Sequence, residues 1–124
     1  MGADDAFVAG LTPQQRALAE GLIEGMNPVA PRAAGTVFDN RAKMPGERIA
    51  AIRAPTLIVH ARDDALQLFH NAEFAARVIP GARLEAFDRG GHLLVAVEQA
   101  AVRKRLRQHV LEHRDGLVPE GCLR

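Results

Sequence analysis

Two adjacent carboxylates and one histidine have the types and the placement that a proton relay needs. Asp63 and Asp64 follow the apolar run Leu57, Ile58, Val59, and His92 follows the run Arg83 to Phe87 across a Gly90-Gly91 pair. In a nucleophilic triad the imidazole takes the nucleophile's proton through one ring nitrogen. A carboxylate bonded to the other nitrogen fixes the tautomer and stabilises the imidazolium that forms. Acid and histidine need only convergent loops. The missing member is the nucleophile: the 124 residues contain no serine, so the chain supplies no serine nucleophile.

The elements around these residues are read from pattern. Thr56 to Ala61 is β-rich and apolar without strict alternation, which suits a strand covered on both faces of a parallel sheet. Asn71 is placed to cap a helix over Ala72 to Ile79, with Ala75, Val78 and Ile79 as its core stripe and Pro80-Gly81 closing it. Arg83 to Phe87 alternates as a half-covered strand does. The order β, α, β implies a right-handed parallel unit, and hence an α/β class. In such sheets reactive groups gather beyond the carboxyl ends of the strands, where both Asp64 and His92 lie. A long helix follows from about Leu94 to His113, with Val95, Val102, Leu106 and Val110 on its inner face and Gly116 as terminator. Upstream, Thr12, Pro13 and Gln15 form a capping-box pattern that opens a helix ended by Asn27-Pro28. A weaker helical stretch spans Val29 to Arg41, with Ala33, Val37 and Phe38 on one face. Glu47 to Ile52 reads as a helical turn with Ile49 and Ile52 facing inward.

With these motifs placed, P-T-L-I-V-H-A-R-D-D-A-L, I-P-G-A-R-L and G-G-H-L-L together resemble the C-terminal portion of the α/β-hydrolase family. The resemblance runs from about Ile49 to Val110, and the earlier helices resemble the tail of the family's variable cap. It implies a partial α/β-hydrolase fold: two parallel strands with a crossover, C-terminal helices, and cap-like helices in front. Residues 1–48 form the cap-like segment, 49–116 the β-α-β-α unit and 117–124 a tail. Ala61 stands where the family has glycine, so the resemblance assigns Asp64 as the triad acid and His92 as the histidine, with Asp63 a neighbour. Gln67-Leu68 stand where many members have valine-proline. The family's G-x-S-x-G elbow is absent, and no G-x-D-x-G replaces it. The implied function is the C-terminal part of a hydrolase of esters, lactones or similar small substrates, inactive alone. The competing reading is a non-catalytic module that works by self-association or partner binding. The expected partners are therefore a second copy or a complementing polypeptide, together with a small-molecule substrate.

Composition narrows the field further. A formal charge of +1, with no Trp or Tyr and 5 Phe, offers neither a basic footprint nor stacking surfaces for nucleic acid. Arg103, Lys104, Arg105 and Arg107 read as a solvated helix face. No apolar run reaches membrane-spanning length and the start carries aspartates, which points to a cytoplasmic protein without membrane contact. The single cysteine, Cys122, excludes an intrachain disulfide. His60, Asp63, Asp64, His70 and His92 match no metal-ligand spacing, so neither metal nor cofactor is expected. His60 reads as a core histidine.

Overall fold

The computed structural model describes residues 5–114. The expected terminator Gly116, the tail and Cys122 lie outside them. Helix α1 (Asp5–Ala9) precedes α2 (Pro13–Gly25) and α3 (Ala33–Arg41), which is entered through a 3-10 turn over Ala30–Arg32. A second 3-10 segment, Gly46–Ala51, leads to strand β1 (Leu57–Ala61), helix α4 (Phe69–Val78) and strand β2 (Arg83–Phe87). A 3-10 turn over Gly91–Leu93 then opens α5 (Leu94–Val97), and α6 (Gln99–His113) follows. Among the described residues no helix is long and apolar enough to cross a membrane.

The two strands pair in parallel, from Leu57 opposite Arg83 to Ala61 opposite Phe87, with α4 as the crossover between them. Their carboxyl ends therefore lie side by side, and the loop after each begins at the same edge of the sheet. The core beneath that edge is small: Ala61, Leu94 and Val102 are buried, with Val59 and Phe87 packed against them. Leu94 thus holds the segment after His92 against the end of β1.

The capping box at the start of α2 is present in full. The Thr12 hydroxyl accepts from the Gln15 amide at 3.2 Å, and Gln15 Oε1 accepts from the Thr12 amide at 2.9 Å. Several expectations from pattern need correction. Asn71 does not cap α4, which begins at Phe69 after Leu68. Phe69 is held early by packing, its ring edge-on to His60 and under the Arg62 guanidinium at 4.5 Å. The helix after His92 is not continuous: at Glu98 (φ −109°, ψ 34°) it breaks into α5 and α6. Finally, β1 is covered only partly, its first four residues being half-buried. Of the inner face expected on the last helix, Val102 is buried while Val95, Leu106 and Val110 are exposed, as are Val37 and Phe38 on α3. Periodicity identifies an apolar face; covering it requires neighbours that the described residues do not provide. Helix α1 had no signal strong enough to be read.

Candidate active site

Asp64 is built into the loop leaving β1. Its Oδ1 accepts from the amides of Leu66 at 2.8 Å and Gln67 at 3.0 Å, a local side-chain turn that fixes the start of the loop. Oδ2 is left to face the second loop. The residue is buried, 8% exposed. Burial alone would push its carboxyl up, but donation from the Gln67 amide, from His92 and from the Leu66 amide outweighs it. The acid is held below its ordinary value. It is therefore a carboxylate at neutral pH, able only to accept.

His92 meets it across the gap, Nδ1 to Oδ2 at 3.0 Å. Because the carboxylate can only accept, Nδ1 carries the proton. In the neutral ring that leaves the lone pair on Nε2, which makes no hydrogen bond among the described residues. The side chain is 43% exposed while that of Asp64 is 7% exposed. The inner nitrogen is tied to the buried acid, while the ring is partly open to solvent. The turn before His92 needs glycine at position 90, where φ is 136° and a Cβ would lie 2.7 Å from Leu94 Cδ1.

Asp63, the adjacent acid, does not reach His92. Its Oδ1 accepts from the Gly91 amide at 2.8 Å and its Oδ2 from the Gly90 amide at 3.3 Å. Sequence alone could not find this contact, since its partners lie 27 and 28 residues downstream. His60 is half-buried in β1, with Nδ1 against the Ala61 carbonyl at 2.8 Å, and takes no part in the pair. Among the described residues no three of His, Cys, Asp and Glu converge on a common metal position.

The helices upstream reach the same region. Gln15 Nε2 donates to the Val97 carbonyl at 2.7 Å, so the residue that completes the α2 capping box also ties α2 to α5 at the helix break. A cavity of about 270 Å³ lies between α1, α2 and the segment after β2, with Phe7, Leu11, Ile23, Leu93 and Val97 among its walls and Gly90 at its margin. Its apolar lining borders the turn that carries His92.

Chemically the site holds an ionised buried acid and a partly exposed imidazole whose Nδ1 is bonded to it. It can take and return one proton, and no hydroxyl or thiol stands against Nε2 among the described residues. No protein-family model matches the chain. Over 60 residues, 48% of its length, the chain is 43% identical to an Azorhizobium caulinodans protein named "Putative carbamate hydrolase RutD". The matched stretch spans 21% of that protein. This partial similarity supports a hydrolase relationship for the chain.

Proposed function

We propose that this chain contributes the acid and the base of an acyl-transfer hydrolase, Asp64 and His92, to a nucleophile carried outside these 124 residues. The observation that carries the reading is the 3.0 Å bond between His92 Nδ1 and a buried, doubly amide-bonded carboxylate, with Nε2 left free. As a hydroxyl attacks the substrate carbonyl, its proton passes to Nε2. Asp64 stays ionised and stabilises the imidazolium, which returns the proton to the leaving group when the tetrahedral intermediate collapses. Water then repeats the cycle on the acyl intermediate. The substrates are small esters, lactones or related acyl compounds, and the relative's name adds carbamates to that class. Alone, the chain has no group for His92 to deprotonate and turns over no aryl ester. Joined to an α/β-hydrolase segment that carries a G-x-S-x-G elbow, it hydrolyses one, and His92→Ala abolishes the activity. A folded fusion whose activity survives His92→Ala contradicts the reading.

A second reading has its own observation. Val95, Leu106, Val110 and Leu111 are all at least 51% exposed except Leu106 at 47%, and both strands are sheet edges. Such a surface suits a module that associates with a second copy or a complementing polypeptide. Light scattering that finds only monomer at micromolar concentration speaks against association with itself.

A further inference from the structure

We propose that Asp63 is the positioning residue of the relay: by clamping the amides of Gly90 and Gly91 it sets the placement of the His92 ring against Asp64. This rests on the reading of Asp64 and His92 as a catalytic pair and adds a third side chain to it.

Two neighbouring carboxylates leave β1 and make separate cross-links to the loop after β2. Asp64 takes the imidazole, and Asp63 takes the two amides immediately before it, the one at Gly91 short at 2.8 Å and the one at Gly90 longer at 3.3 Å. The backbone there has little to hold it otherwise. Gly90 and Gly91 have φ of 136° and 54°, and a glycine pair explores more backbone states than any other. Gly90 precedes the 3-10 turn over Gly91–Leu93 and has no side chain to cap its first amides. Asp63 supplies that cap from the opposite loop, with a charged acceptor whose bonds to amide donors are stronger than those of a neutral group.

The consequence falls on His92. Its ring is 43% exposed and is held by one hydrogen bond, so its distance from Asp64 depends on where the backbone one and two residues before it is fixed. Leu94, 6% exposed, anchors the segment on the far side. Between Asp63 and Leu94 the histidine is pinned at both ends. With Asp63 removed, only the Leu94 end and the Asp64 bond remain, and the glycine pair is free to move the ring away. Asp63 touches neither the transferred proton nor Nε2; it acts through the loop.

The test is nitrogen NMR of the His92 ring in the full chain, with wild type, Asp63→Ala, Asp63→Asn and Asp64→Asn compared. Wild type shows the Nδ1–H tautomer, and Asp64→Asn loses it. Asp63→Ala moves the ring toward a mixture of tautomers and speeds exchange of the Gly91 amide about fivefold, as loss of one hydrogen bond does. Asp63→Asn, which keeps the shape but offers one acceptor for two donors, falls between and decides the matter if Asp63→Ala does not fold. In a fusion completed with a serine elbow, Asp63→Asn lowers kcat by up to about a hundredfold and leaves KM little changed. If folded Asp63 variants keep the wild-type tautomer, the clamp is refuted while the pair stands. If wild type itself lacks the Nδ1–H tautomer, the pair and the clamp both fail.

Discussion

Asp64 carries the clearest energetic signature at the scale of single residues. Its native carboxyl is held below its ordinary value, because amide donation from Gln67 and Leu66 and the bond to His92 outweigh the upward push of burial. A depressed acid contributes stability above its unfolded value, about 3.9, and that contribution is lost as pH falls through the native value. Asp64→Ala leaves the Leu66 and Gln67 amides and His92 without their acceptor and should cost about 1–3 kcal/mol at pH 7. In urea unfolding the gap between wild type and variant should narrow below about pH 4; a gap that widens in acid contradicts the assignment. An acid after one strand and G-G-H after the next is a pattern of types, and the resemblance it carries singled out Asp64 and His92, which stand 3.0 Å apart. Asp63 was not legible. Two identical side chains stand next to each other, and only the direction of each at the end of β1 separates the one that meets an imidazole from the one that meets two amides.

Elements show the same division between local and tertiary information. The capping box at Thr12 and Gln15 was readable because all its groups lie within one turn, and the strand at Arg83 to Phe87 because alternation is a local property. The break at Glu98 was not. There the Val97 carbonyl accepts from Gln15 Nε2, 82 residues away in sequence, instead of continuing the helical ladder. Gln15→Ala removes the side-chain half of the box and this tether, while the bond from the residue-15 amide to the Thr12 hydroxyl can remain. It should cost about 1 kcal/mol and speed hydrogen exchange along α2, with β1 and β2 unaffected. Equal exchange in α2 of the variant and wild type would show that the tether does not hold the helix. Leu94→Ala empties the contact between the segment after His92 and Ala61, a loss of about 2–5 kcal/mol in denaturant unfolding. At Gly90, where φ is 136° and Leu94 Cδ1 stands 2.7 Å from the position of a Cβ, alanine should destabilise by roughly 1–3 kcal/mol.

At the scale of the molecule, the described residues form a two-stranded parallel sheet with a thin core and apolar residues left uncovered on α6. The α/β order and the parallel pairing followed from the sequence, because strand, crossover and strand are consecutive. Which faces would be covered did not follow, because periodicity marks an apolar face without saying what packs on it. The exposed Leu106 and Val110 predict self-association of the isolated chain, and the double substitution Leu106→Glu, Val110→Glu should shift it toward monomer in light scattering. An unchanged size distribution would place the contact elsewhere. The chemistry of the candidate site is a carboxylate and an imidazole in register, in a sequence that contains no serine. The direct test is the hydrolysis rate of an aryl ester by the chain fused behind a segment bearing a G-x-S-x-G elbow, compared with its Asp64→Asn variant. The pair predicts that Asp64→Asn lowers the rate roughly ten-thousand-fold with the fold retained; a folded variant that hydrolyses the ester at the parent rate contradicts it.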